Sequence, residues 1–363
     1  MPQCHVRLLL LAVTLGLAGC ASEPVVPEGP DLLIDRTDAL QLGYRYRWTR
    51  DLAVSPDRHI SRAAILGDLI VTVEAPTNIV TALTLRDGEV RWMKKVATPL
   101  DILFEPVRNR GRIIINSETH LYSLAVENGQ VFERTLLRSP VAHSPTLIDG
   151  TLVFGGRTGL LFTLDAIAGY DQWAHQLTGP VLARPLLSKG RIFVADSRGE
   201  YALLAAEDGQ VLQSGRTFAR ISATPAVTRA GIFVASEDRT LYALNRATLK
   251  DRWKFRAPGP LTKSPVYLGG TVFLPVPRHG LIALDALSGH TVWQRPELGT
   301  RPVEVNADKV LLAGPNEFVV VALETGQTVT RVGTKPLAAA LPHDNRIMVL
   351  VSRDGRVARL DRK

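Results

Sequence analysis

The chain has 363 residues, of which 45% are hydrophobic and 21% charged, and a formal net charge of +8. That balance can bury a large core and excludes an intrinsically disordered chain, and beyond the N-terminus no apolar run reaches the roughly 20 residues of a membrane-spanning helix. Lys and Arg are scattered, with no basic run or basic helix, which points to a solvated surface with a mild preference for anionic lipid headgroups and away from nucleic acid.

Residues 1–19 read as a signal peptide: Arg7 supplies the positive start, Leu8 to Leu17 the apolar stretch, and small residues follow. The run Leu17-Ala18-Gly19-Cys20 resembles the lipobox of bacterial lipoproteins, in which the cysteine carries a thioether-linked diacylglycerol and becomes the mature N-terminus. The resemblance implies lipidation of Cys20 and a membrane partner held through that anchor. The alternative is an ordinary secretory signal with an incidental cysteine. Cys4 would leave with the signal peptide, so the mature chain would form no internal disulfide. Ala21 follows the cysteine where an Asp would direct retention in the inner membrane, and by resemblance to lipoprotein sorting this points to the periplasmic face of the outer membrane. Pro24, Pro27, Gly29 and Pro30 then predict a flexible tether over residues 20–42.

From Arg62 onward one unit recurs with a period of about 40 residues, in the range of four-stranded propeller blades. In residues 225–256, Pro225 opens a first strand, Gly231–Ala235 forms a second, Leu241–Leu244 a third and Arg252–Phe255 a fourth. Strand-opening prolines recur at Pro106, Pro145, Pro185, Pro225, Pro265 and Pro302. Turn glycines before the fourth strand recur at Gly88, Gly129, Gly169, Gly209, Gly289 and Gly326, with Leu249 in the remaining slot. The second strands, such as Ile113-Ile114-Ile115, are apolar on both faces, as sheets covered on both sides require. The last unit begins near Leu337 and stops before its fourth strand, while Tyr46–Arg50 near the other end matches that missing strand. The predicted fold is therefore all-β: an eight-bladed β-propeller of four-stranded antiparallel blades over residues 43–363, closed by an N-terminal strand and free of open sheet edges at the seam.

The unit resembles the PQQ-type (quinoprotein-like) propeller repeat, best seen in Leu164-Asp165 with Gly169 and Trp173, and in Leu284-Asp285 with Gly289 and Trp293. Together with the lipobox, the chain resembles the propeller lipoproteins of the outer-membrane β-barrel assembly machinery. That resemblance implies a non-enzymatic scaffold with a protein partner in this machinery, the propeller itself being monomeric. In that family one partner-contacting loop is acidic and runs into a Thr-Thr-Pro strand start. Here the position before Thr224-Pro225 reads Arg220-Ile221-Ser222-Ala223, without an acid. The alternatives are a lipid-anchored propeller that binds another envelope component or polymer, and a PQQ-dependent dehydrogenase.

The chemistry-bearing residues argue against the dehydrogenase. The mature chain has no cysteine pair, no acidic cluster with hard-cation spacing and no pair of histidines at metal spacing, so no cofactor and no metal are expected. Trp48, Trp92, Trp173, Trp253 and Trp293 recur once per fourth strand, which fits docking of neighbouring blades better than a cofactor box. The candidate site for a partner is one mouth of the central channel. Arg62, Arg184, Arg220, Lys263 and Arg301 lie at or before the strand openings there, with Glu105 the lone acid. Converging cations would attract an acidic partner loop or an anionic ligand.

Overall fold

The computed structural model describes residues 32–363; Cys20 and the lipobox lie outside them. Eight separate four-stranded sheets fill this span. Blade 1 runs through His59–Leu66, Leu69–Ala75, Ile79–Thr84 and Val90–Lys95, each strand antiparallel to the next. Blades 2 to 7 repeat the meander. Blade 8 takes three strands from the end of the chain (Leu337–His343, Ile347–Ser352 and Arg356–Arg362) and its fourth from Tyr44–Asp51. First strands of neighbouring blades touch one another at six of the eight junctions, that of blade 8 with blade 1 among them, so these strands surround the central axis and the ring is closed.

Local chemistry accounts for the meander. In blade 3, Asp165 at the end of the third strand accepts backbone N–H bonds from Ile167 and Ala168 at 2.8 and 2.6 Å. The chain then turns through Gly169 at φ +70°, whose N–H bonds the Asp165 carbonyl at 3.0 Å, and enters the fourth strand. Asp offers the side-chain acceptor and Gly the positive φ that this turn needs. Second strands such as Arg112–Asn116 are buried on both faces, whereas fourth strands such as Val131–Leu136 form the largely exposed outer wall.

The core is a ring of interfaces rather than one central cluster. Eight hydrophobic clusters each join two neighbouring blades: Ile113, for example, packs with Val80 and Trp92 across blades 1 and 2, and Phe233 with Leu274 across blades 5 and 6. Each buried Leu, Ile, Val or Phe contributes roughly 1.5–3 kcal/mol.

The five tryptophans seal five of these interfaces in one way. The indole Nε1 of Trp48, Trp92, Trp173, Trp253 and Trp293 donates to a main-chain carbonyl of the next blade, on Leu85, Val126, Ala206, Ala286 and Leu323, at 2.8–3.2 Å. The indole ring lies against the turn glycine of that next blade, Gly88, Gly129, Gly209, Gly289 and Gly326 respectively, so closely that a Cβ there would overlap it. Between blades 4 and 5 the equivalent fourth-strand residue is Gln213 and the turn residue is Leu249, at φ +54° and 5% exposed. There both ring and glycine are missing, whereas between blades 2 and 3 Gly169 is kept and the Glu133 carboxylate lies against it in place of a ring.

The seam has its own fastening. Tyr44 of the closing strand pairs with Arg362 of the last strand, and both reach Glu304 in blade 7: the Tyr44 hydroxyl donates to one carboxylate oxygen and Arg362 pairs with the other. The tether predicted over 20–42 needs correction in its described part. Residues 36–41 form a one-turn-and-a-half helix capped by Asp35, which accepts the Thr37 N–H at 2.7 Å. Leu33, Ile34 and Ala39 are buried against Phe318 and Val332 of blade 7 and Met348 of blade 8. The packed structure thus begins about ten residues before the boundary set by the repeat, because three apolar side chains find a groove between two blades.

Candidate functional site

The loops that link each fourth strand to the next first strand all lie on one face, since every blade has four alternating strands. On the axis at that face is an open cavity of about 990 Å³, to which seven of the eight blades contribute. Its floor is built from strand starts, such as Thr224-Pro225 and Ser264-Pro265, whose prolines fix the backbone where no ladder partner is required.

Four of the five predicted mouth cations line this cavity: Arg62, Arg184, Lys263 and Arg301, together with Glu105. Arg220 does not. It is exposed on the loop before blade 5, one residue short of the buried Ile221 that turns the chain inward. The four lining cations are not equivalent. Arg184 is a brace: its Nη2 donates to the Pro145 carbonyl at 2.7 Å, and its N–H to Thr224 Oγ1 at 3.3 Å, linking blades 3, 4 and 5. Burial weakens its hold on the proton while the Glu105 charge strengthens it, and an Arg so placed stays charged. Arg62 donates to the Ser61 carbonyl at 2.7 Å. Lys263 and Arg301 are exposed and have no polar partner among the described residues. They are the cations free to meet something from outside.

Two buried polar atoms in the same wall, His143 Nε2 and Thr300 Oγ1, lack partners among the described residues. His143 is held down to about 4, first by burial and then by the nearby charges of Arg184 and Arg157. At neutral pH it is therefore an uncharged imidazole with an unused nitrogen facing a cationic cavity. A lone histidine between loop residues carries no sequence signal, and its role appears only when the ring brings Arg184 beside it.

This arrangement suits a ligand rich in carboxylate or other anionic oxygen. It does not suit a calcium-bound quinone, which needs several oxygen ligands around the cation: the lining holds one carboxylate among four cations. Among the described residues no group of three or more His, Cys, Asp or Glu is placed to hold a metal ion.

The family model described as outer membrane protein assembly factor BamB matches residues 35–173, 117–217 and 212–328. A protein of that description from Yersinia pestis is 23% identical over 192 residues, covering 48% of this chain and 49% of the relative. A polyvinylalcohol dehydrogenase from Sphingopyxis sp. is 24% identical over 208 residues, 48% of this chain and 32% of that enzyme. The matched part of this chain thus spans about half, or less, of the length of these relatives. Among solved structures, BamB from Moraxella catarrhalis superposes with a TM-score of 0.72 at 17% identity, covering 88% of this chain and 97% of the other.

Proposed function

Because the chain belongs to the family of the outer membrane protein assembly factor BamB, we propose that it is a lipid-anchored scaffold at the periplasmic face of the outer membrane that assists assembly of β-barrel proteins there. The observation that carries this reading is the extent of the family match: it runs through the propeller from the first described residues to blade 7. The even blades, with short connections throughout, leave no inserted catalytic domain among the described residues. The anchor is Cys20, and the channel mouth is the partner-binding site.

In this reading the binding energy comes from charge complementarity and from broad loop surfaces. Lys263 and Arg301 meet acidic side chains of the partner, and Arg184 holds the wall that positions them. Loss of the acidic loop at Arg220–Ala223 means that the charge in this contact is supplied by the partner instead.

The test is an affinity pulldown of the tagged, lipidated protein from detergent-solubilised outer membranes, with mass spectrometry of the co-purifying proteins. Near-stoichiometric recovery of the barrel-forming assembly protein, reduced at least tenfold by Lys263→Glu with Arg301→Glu, supports the proposal. Recovery of a different envelope complex in its place overturns it.

A further inference from the structure

The face that carries the channel mouth also carries the most exposed apolar side chains. Leu100, on the connection from blade 1 to blade 2, is 95% exposed, and Phe218, on that from blade 4 to blade 5, is 92% exposed. No other large hydrophobic among the described residues exceeds nine-tenths exposure. Ile102, beside Leu100, is 70% exposed.

These tips are held in place. The Thr98–Asp101 turn is closed by bonds from the Thr98 N–H and hydroxyl to Asp101 Oδ2 at 3.1 and 2.7 Å. Asn78 Nδ2 donates to both carbonyls of that turn at 2.6 and 2.8 Å. The Phe218 N–H donates to Asp238 Oδ2 at 3.1 Å. A polypeptide that fixes two large apolar side chains outward in this way presents them to something apolar.

A third point on this face is where the chain enters the fold. The Leu33 carbonyl accepts the Lys335 N–H at 3.0 Å, on the connection from blade 7 to blade 8. The three points therefore sit at junctions 1–2, 4–5 and 7–8, spread around the whole ring and not on one side. Three such points define a plane across the channel mouth. Thirteen Cα-to-Cα steps separate Cys20 from Leu33, a reach of at most about 45 Å when fully extended. Arg220, two residues past Phe218, is exposed, lies outside the cavity and has no ion pair among the described residues.

We propose that the mouth face lies against an anionic bilayer surface, with Leu100, Ile102 and Phe218 entering the interface and Arg220 at headgroup level. The inference rests on the lipid-anchored reading for the third point, while the two apolar tips and Arg220 stand without it. Apolar side chains flanked by cations bind such surfaces by burial and by attraction to anionic lipid. The channel mouth is then turned toward the membrane, where a membrane-embedded partner presents its periplasmic turns.

The experiment uses the lipidated protein on vesicles of phosphatidylethanolamine, with and without phosphatidylglycerol. Cys4 and Cys20 are the only cysteines of the chain, so Leu100→Cys, Phe218→Cys and Leu287→Cys each carry one environment-sensitive dye. Leu287, 66% exposed, is on the opposite face, in the turn before the fourth strand of blade 6. The expected result is a blue shift and at least twofold quenching by brominated lipid at positions 100 and 218, none at 287, and a several-fold loss of the phosphatidylglycerol dependence with Arg220→Glu. Equal signals at all three positions, or quenching at 287 alone, would overturn the proposal. So would shielding of 100 and 218 that arises only when the barrel protein is added, which would make the face a protein interface. The intact mass of the same preparation reports acylation of Cys20 separately: an unacylated protein refutes the anchor, while the dyes still report which face meets added vesicles.

Discussion

Replacing Gly129 with Ala tests how the blades are locked together. Gly129 has φ +68°, and an added Cβ would stand 2.5 and 2.6 Å from Cε3 and Cδ2 of Trp92 and 2.9 Å from Cγ of Lys94. Holding Ala in the left-handed region costs about 1 kcal/mol. The indole is 6% exposed and its Nε1 bonds the Val126 carbonyl at 2.8 Å, so moving it forfeits a buried bond worth about 1 kcal/mol. Forced repacking adds roughly 1–2 kcal/mol, and the total is about 3–4 kcal/mol. Gly150 is the control: it has φ +85° and open space where a Cβ would go, so Gly150→Ala isolates the backbone cost of about 1 kcal/mol. Trp92→Ala alone removes roughly 3–5 kcal/mol, and Gly129→Ala in that background adds only the backbone cost. Urea denaturation followed by circular dichroism on the four variants closes a double-mutant cycle with a coupling of about 2–3 kcal/mol. The reasoning fails if Gly129→Ala is no more damaging than Gly150→Ala, or if its effect adds to that of Trp92→Ala.

Between blades 4 and 5, Gln213→Trp alone is expected to destabilise by clashing with Leu249, while the pair Gln213→Trp with Leu249→Gly recovers at least about 1 kcal/mol relative to the sum of the single variants, read by the same denaturation. Because burial and the Arg184 and Arg157 charges hold His143 down to about 4, the unfolded chain binds a proton there that the folded chain refuses. Its stabilising effect is complete above the unfolded value near 6.5 and is lost as pH falls toward 4, about 2 kcal/mol by pH 5; His143→Gln should remove that difference between pH 7 and pH 5 stability, and an unchanged difference would refute the assignment. Glu304→Ala leaves the Tyr44 hydroxyl and Arg362 without their shared acceptor, and a loss of about 2–3 kcal/mol is expected, with faster hydrogen exchange confined to Tyr44–Asp51; uniform exchange across the ring would show that Glu304 is not a seam contact.

The repeat made the fold legible because each blade must state its own turns: a proline to open, an Asp or Asn to bend, a glycine to reverse. The seam was legible for the same reason, since Tyr46–Arg50 carries the signature of a fourth strand with no blade before it. The helix Arg36–Gln41 was not, as it occurs once, follows no period and owes its place to Leu33 and Ile34 fitting between blades 7 and 8. The Trp and Gly series were both visible, but their contact is not: each pair lies 33–40 residues apart and meets only across an interface. The mouth was legible as a ring of strand openings, yet sequence position could not separate Arg184, which spends its donors on main-chain and side-chain acceptors, from Lys263 and Arg301, which keep theirs. It also grouped Arg220 with the other mouth cations, whereas that side chain is exposed on its loop and outside the cavity lining. The Tyr44, Glu304 and Arg362 cluster joins positions separated by 260 and 318 residues from Tyr44, beyond any local pattern.

The segment that joins blade 7 before the closing strand begins has a mechanical meaning. A pull on the chain at residue 32 does not arrive first at the hydrogen bonds between Tyr44–Asp51 and Arg356–Arg362. It arrives at the Leu33 carbonyl bond to Lys335, at the side chains of Leu33, Ile34 and Ala39 buried between blades 7 and 8, and at the Ile34 main chain, whose N–H donates to the Tyr46 hydroxyl and whose carbonyl accepts from it, both at 2.9 Å. The helix Arg36–Gln41 lies between that fastening and the seam. Tension along the N-terminal segment is therefore shared between the groove of blades 7 and 8 and the Tyr46 side chain, and is not borne by the ladder of the closing strand alone.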